Sequence, residues 1–317
     1  MKLSLLSTLS LVSIAAGAGA SSSPTSCGNG RTASIATCCI WYSVLDDIQD
    51  LFERQCGDDA HDALRLSFHD AIGFSPKLNS QQQFGGGGAD GSLIKFAATE
   101  LAYASNEGLE SIVFAEKDIA DKYGVSYGDI IQFAAAVSVR NCPGGPHISF
   151  LAGRPNAIQA APDGLVPNPF DSVDTILSRV EDAGLTSDEL VNLLASHSVA
   201  VQEHVDESIP GTPFDLTPGV FDNNFYRDVL LPGVIIPGPL LGFGFTLHKG
   251  EVKAPFIGEF RLQSDFALAR DPRTASRWKS LGSNQSLMES SFATAMAKMA
   301  LLGQDAGILH DCSDVIS

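Results

Sequence analysis

Apolar residues recur at helical spacing in five stretches, residues 36–52, 59–71, 127–139, 186–196 and 292–302, whereas strict two-residue alternation is scarce and short. The fourth stretch opens on Thr-Ser-Asp-Glu, a capping sequence that puts acids into the first turn. Gly- and Pro-rich connections separate the helices at 84–91, 142–146, 161–169 and 232–244. Neither an internal repeat nor a low-complexity tail is present. A long, loop-rich chain with this pattern predicts an all-α architecture of two helical lobes in place of a doubly wound sheet.

Composition narrows the picture. The 317 residues are 44% hydrophobic and 18% charged, enough for a substantial core. With 37 acids against 20 Lys and Arg the net charge is −17, and no basic run occurs. Nucleic acid and anionic membranes are therefore not expected partners. Residues 1–20 read as an export signal: Lys2, an apolar stretch over 3–16, then Ala18-Gly19-Ala20 as a small-residue cleavage site. The mature chain, 21–317, is expected to be a soluble, extracellular monomer. Export makes three disulfides the natural state of Cys27, Cys38, Cys39, Cys56, Cys142 and Cys312, with fifteen pairings open. Asn284-Gln285-Ser286 is a glycosylation sequon consistent with that route.

The densest chemistry lies between Asp58 and Asp70. At about 100° per residue, Asp58, Asp62, Arg65 and His69 share one helix face. A solvated face laced with ion pairs is the plain reading. Arg65 and His69 sit one turn apart, however, a poor arrangement unless the imidazole is neutral. Asp70 then leads into Gly85-Gly-Gly-Gly-Ala-Asp90-Gly-Ser92, whose carboxylates, hydroxyl and free carbonyls suit a hard cation such as Ca²⁺. Far downstream, Ser196-His197-Ser198 ends an apolar helix. Phe214-Asp215-Leu-Thr217-Pro-Gly-Val220-Phe-Asp222 then supplies a second cluster of hard oxygen donors.

Taken together these segments resemble the fungal class II haem peroxidases, in family order from about Cys27 to Val315. The resemblance implies haem b between a distal lobe, about 27–165, and a proximal lobe, about 166–317. It makes His69 the acid–base group toward hydrogen peroxide, Arg65 its electrostatic partner and Phe68 a pocket wall. Glu100 and Asn106 match the pair that fixes the distal tautomer. His197 matches the axial ligand, with Asp265 accepting its other ring proton and Phe214 beside it. Two Ca²⁺ are implied: a distal ion at Asp70, Gly88, Asp90 and Ser92, and a proximal ion at Ser198, Asp215, Thr217, Val220 and Asp222. The implied pairing is Cys27–Cys39, Cys38–Cys312 and Cys56–Cys142. Many relatives carry a fourth bridge, whose place here is taken by Ser276.

The electron donor is less clear from sequence. Where the resemblance places a surface tryptophan, this chain has Asn192, which has no redox chemistry. Trp41 and Trp278 lie where the family uses them structurally, and Tyr103, Tyr123 and Tyr226 have no motif behind them. The manganese-binding positions are Asp58, Asp62 and Glu203, all acidic but each with the other acid's chain length. The expectation is a secreted peroxidase oxidising Mn²⁺, the alternative a generic low-potential enzyme that oxidises phenols and dyes at the haem edge. Two readings from other classes are a metal-dependent hydrolase, suggested by His61-Asp62 and His69-Asp70, and a non-enzymatic calcium-binding wall protein.

Overall fold

A computed structural model describes residues 24–238 and 247–316. Residues 1–20, expected to be an export signal, and positions 239–244 of the last Gly/Pro-rich connection lie outside the described residues. The α-helices run α1 (Ile40–Leu51), α2 (Asp58–Ala71), α3 (Pro76–Ser80), α4 (Ser92–Lys95), α5 (Ala97–Glu100), α6 (Glu110–Tyr123) and α7 (Tyr127–Asn141). The second half continues with α8 (Val173–Asp182), α9 (Ser187–Leu193), α10 (Asn224–Leu230), α11 (Gln263–Leu268), α12 (Ala275–Ser283) and α13 (Gln285–Met299). Among the described residues, strand is confined to three antiparallel pairs, two of them joining two-residue strands. The all-α expectation holds. No helix among the described residues is long and apolar enough to cross a membrane.

The core forms around α7. Its run Ile130-Ile-Gln-Phe-Ala-Ala-Ala-Val-Ser-Val139 is buried all round, as expected of a central helix. Three consecutive alanines, Ala134 to Ala136, leave room for neighbours to approach closely. α2 packs along α7 through Ala60, Ala63, Leu64, Leu66 and Ser67, and α1 and α6 close the same group. The Cys56–Cys142 disulfide joins the start of α2 to the end of α7, which fixes the pair as antiparallel. α9, α10, α12 and α13 form a second packed group. The other bridges are Cys27–Cys39 and Cys38–Cys312. All three pairings are those the family resemblance implies.

Some helix boundaries differ from the sequence expectation. Residues 36–52 divide into a 3₁₀ turn, Ala36–Cys39, and α1, because the adjacent Cys38 and Cys39 are drawn to different partners. In 186–196 the α-helix ends at Leu193, and the chain tightens into a 3₁₀ helix, Leu194–Val199, that carries His197. α13 begins seven residues before the expected 292, since its first two turns are mostly polar, with only Leu287 and Met288 apolar, and Asn284 caps them from outside.

Candidate functional site

His69 stands on the last turn of α2, and its Nδ1 lies 2.8 Å from Asn106 Oδ1. Burial, with the Arg65 charge adding to it, pushes the imidazole down to about 3, so the ring is neutral across ordinary pH. Arg65 shares that face, and its charge acts on His69. One terminal nitrogen donates to the carbonyls of Ser105 and Glu107 at 3.1 and 3.0 Å, anchoring the guanidinium to the loop that carries Asn106. Phe68 meets the His69 ring edge-on at 6.1 Å. A cavity of about 10 Å³ touches His69, Glu100, Tyr103 and Ala161, room for one water-sized molecule.

Glu100 meets Asn106 through its main chain, while its side chain is engaged elsewhere. Asn106 Nδ2 donates to the main-chain carbonyl of Glu100 at 2.9 Å, while the Glu100 carboxylate accepts from the Ala161 amide at 2.9 Å. The side chain thus braces the 161–169 connection over the cavity instead of holding Asn106. Burial raises this carboxyl to about 7. Tyr103 completes the brace, its hydroxyl donating to the Ala161 carbonyl at 2.9 Å. No sequence motif marks Ala161, but its position in a Gly/Pro-rich connection is the available signal.

His197 Nδ1 lies 3.0 Å from Asp265 Oδ2, and Asp265, on α11, is 1% exposed. Phe214 and Phe225 flank the ring at 5.0 and 5.4 Å. Behind them, Tyr226 and Trp278 meet edge-on at 5.1 Å and are both fully buried, in keeping with a structural tryptophan. Trp41 is likewise buried, between Phe133 and Phe150. Asn192 accepts from Arg277 Nε at 2.7 Å, so this position presents an amide under a guanidinium.

Two oxygen clusters flank the histidines. Around α4, Asp70 accepts from the amides of Gly91 and Leu93 at 3.0 and 3.3 Å, and Asp90 from that of Ser92 at 3.0 Å. Gly88 turns there with φ +74°, beyond the reach of most side chains. Ser92 Oγ is buried and makes no hydrogen bond. Burial, reinforced by Asp90, raises Asp70 well above the usual carboxylate range; burial also raises Asp90 to about 6. In the second cluster Thr217 Oγ1 donates toward Asp215 Oδ1 or Asp222 Oδ2, at 3.2 and 3.0 Å. Asp215 Oδ2 is buried without a partner, and burial raises its carboxyl to about 7. Ser198 is buried, and the Val220 amide donates to the Thr217 carbonyl. Asn224, which the motif reading misses, donates to Asp222 at 3.1 Å. Orphaned oxygens beside raised carboxyls are what a hard-cation site shows when only protein atoms are counted.

Asp58, Asp62 and Glu203 are less converged. Asp62 is half-buried while Asp58 and Glu203 are exposed. Burial raises Asp62 to about 6, with the charges of Asp59, Asp58 and Glu203 adding to it. Among the described residues, the one set of three metal-ligating side chains with ligand atoms in mutual reach is Cys56, His61 and Cys142. Its sulfurs are consumed by the disulfide. His61 packs on that bridge, its Nε2 3.5 Å from Cys56 Sγ, away from the His69–Asn106 pair, which leaves the hydrolase reading without a site.

Comparison with known proteins gives one consistent answer. A Peroxidase family model matches residues 44–284, and a fungal peroxidase extension region matches 287–317. The chain is 50% identical to versatile peroxidase VPS1 of Pleurotus eryngii over 92% of its own length and 77% of that protein's. It is 48% identical to a peroxidase of Arthromyces ramosus, over 100% of this chain and 87% of the relative. Identity to ligninase H2 of Phanerodontia chrysosporium is 49%, over 90% and 76%.

Proposed function

We propose, from the premise that this chain belongs to the fungal class II haem peroxidases, that His69 and His197 face the two sides of haem b and that Mn²⁺ is among its electron donors. Oxidoreductase activity on hydrogen peroxide follows from the family itself. What supports the assignment of the two histidines is their shared construction. Each has its Nδ1 held, by Asn106 at 2.8 Å and by Asp265 at 3.0 Å, which leaves Nε2 for the haem cavity. The fit to haem is chemical as well: a neutral ring on one side, and on the other an imidazole backed by a carboxylate and walled by Phe214 and Phe225.

When bound, haem supplies the two-electron oxidation by peroxide and the return of those electrons from donors one at a time. The chain's own residues do the rest. Neutral His69 accepts a proton from peroxide and later returns it to the leaving oxygen. Arg65, tethered to the 105–107 carbonyls, brings positive charge to the same cavity, where it offsets developing negative charge. Asp265 keeps the His197 Nδ1 proton engaged and its Nε2 electron-rich. Distal Ca²⁺ at Asp70, Gly88, Asp90 and Ser92, and proximal Ca²⁺ at Ser198, Asp215, Thr217, Val220 and Asp222, stiffen the segments that carry the two histidines. The orphaned Ser92 Oγ and Asp215 Oδ2 support both.

For the donor, the raised Asp62 carboxyl with Asp58 and Glu203 acting on it is the supporting observation, since a divalent cation relieves that strain. The exposure of Asp58 and Glu203 favours a second reading, phenols and dyes oxidised at the haem edge. Mn³⁺ formation from Mn²⁺ and peroxide in an organic-acid buffer, with a dye as positive control, decides between them. Saturable Mn²⁺ turnover supports the first; dye oxidation without it supports the second. Export after residue 20, a monomer of distal (27–165) and proximal (166–317) lobes, and glycosylation at exposed Asn284 complete the proposal. Asn284 is exposed and caps α13 through Oδ1.

A further inference from the structure

The core-facing stripe of α6 reads Leu109, Ile112, Val113, Glu116, Ala120, an apolar helical pattern interrupted by one acid. Glu116 is 0% exposed, and neither of its carboxyl oxygens has a hydrogen-bond partner. Ionised, such a group needs several donors; neutral, it still needs a donor for its carbonyl and an acceptor for its hydroxyl. Protein atoms supply none, so a buried water or ion completes it.

α6 packs on α2 and α4, the helices that carry Asp70 and Ser92. Asp70 is the neighbouring charge that acts on Glu116. The distal calcium set proposed above offers two carboxylates, one carbonyl and one hydroxyl, while Ca²⁺ takes six to eight oxygens. Water makes up the difference, and each calcium-bound water has protons to place. Ser92 Oγ, on α4, which α6 contacts, is also buried without a partner.

We propose that Glu116 is an additional acidic arm of the distal calcium site, accepting hydrogen bonds from the water that completes the ion's shell. The inference rests on the distal calcium reading and adds a residue from a helix outside the Asp70–Ser92 segment. Outer partners of metal ligands commonly change affinity by roughly 10–100-fold, which sets the size of effect to look for.

The test is calcium retention in the holoenzyme, counted by native mass spectrometry during titration with a chelator, alongside thermal unfolding with and without Ca²⁺. Wild type is expected to carry two ions. Glu116→Gln, nearly the same shape, is expected to lose one at a chelator concentration at least tenfold lower, and Asp222→Asn as background assigns that loss to the distal ion. Unchanged calcium retention, with the calcium-free and calcium-loaded forms both more stable, overturns the proposal, because Glu116 is then an unpaired acid and nothing more. A wild type that never holds the distal ion, with retention indifferent to Asp90→Asn, overturns the calcium reading itself. If Glu116→Gln does not fold, Glu116→Asp keeps the charge one methylene further away. It must lower calcium retention in the same direction, and retention equal to wild type again overturns the proposal.

Discussion

Asn106 grips His69 through its side chain and Glu100 through the main chain: Oδ1 lies 2.8 Å from His69 Nδ1, and Nδ2 donates to the Glu100 carbonyl oxygen at 2.9 Å. The amide therefore accepts from a protonated Nδ1, and the basic lone pair of His69 is left on Nε2. His69→Ala removes that base while leaving the His197 side intact. Its expected effect is a roughly 10²–10⁴-fold slower reaction with peroxide at unchanged haem content, read by stopped-flow absorbance. Asn106→Ala should fall between wild type and that variant. Because burial and Arg65 hold His69 down to about 3, the neutral, proton-accepting form is fully present above that value and is lost as pH falls through it. The peroxide rate of wild type is thus expected to stay flat from neutral pH to about 4, where a midpoint near 6.5 would contradict the assignment.

Glu100 serves two contacts through different atoms, its main-chain carbonyl toward Asn106 and its carboxylate toward Ala161. If its carboxylate held Asn106, Glu100→Gln would disturb the distal tautomer. In this structure the carboxylate instead accepts from the Ala161 amide, and the link to Asn106 is a main-chain carbonyl that no substitution removes. Glu100→Gln is therefore expected to leave the peroxide rate within about threefold of wild type, well short of the Asn106→Ala loss. Its cost should appear in thermal stability, through a weaker brace on the 161–169 connection worth about 1–3 kcal/mol. A peroxide rate as low as that of Asn106→Ala would restore the side-chain role.

The distal and proximal helices were legible because their chemistry is local. Asp58 to Asp70 lies on one helix whose face follows from spacing, and Thr217 contacts Asp215 and Asp222 within one short loop, so these local arrangements lie where the chain pattern expects them. What spacing could not supply was direction. Arg65 shares a helix face with His69 yet reaches for the carbonyls of Ser105 and Glu107, some forty residues away. Glu100 and Ala161 meet across 61 residues of chain through a main-chain amide, which carries no sequence mark. Asn224 and Glu116 were invisible for opposite reasons, the first a common polar residue at a helix start, the second an acid in an otherwise apolar stripe.

Calcium removal should make stability depend on pH in a stated direction. In the protein without the ion, burial raises Asp215 from 3.8 to about 7, and Asp90 to about 6. A carboxyl raised on folding binds protons more tightly in the folded state. Its stabilising share is present below about 4 and is lost as pH rises toward its folded value. For Asp215 the full change is on the order of 4 kcal/mol at about 1.4 kcal/mol per pH unit. The chelated holoenzyme is therefore expected to unfold at a lower temperature at pH 7.5 than at pH 5. Added Ca²⁺ should abolish or reverse that difference, because the ion favours the ionised carboxylates. An equal pH profile with and without calcium would show that these acids do not hold it.

The proposed manganese site offers the sharpest pH signature, because one of its three acids has a displaced affinity for protons. Burial, then the charges of Asp59, Asp58 and Glu203, raises Asp62 to about 6. Mn²⁺ needs the ionised carboxylate, so KM for Mn²⁺ should be steady above that value and rise about tenfold per pH unit below it. KM for a dye taken at the haem edge should not follow. Asp62→Asn removes the charge at similar size and is expected to raise KM for Mn²⁺ roughly 10–100-fold while dye oxidation is retained. Exposed Asp58 and Glu203 must swing inward to meet the ion, so lengthening one arm is informative. If Asp58→Glu lowers KM for Mn²⁺, the short arms limit a working site; if neither substitution changes Mn²⁺ turnover, the acids lie outside the path of electrons and the donor is aromatic.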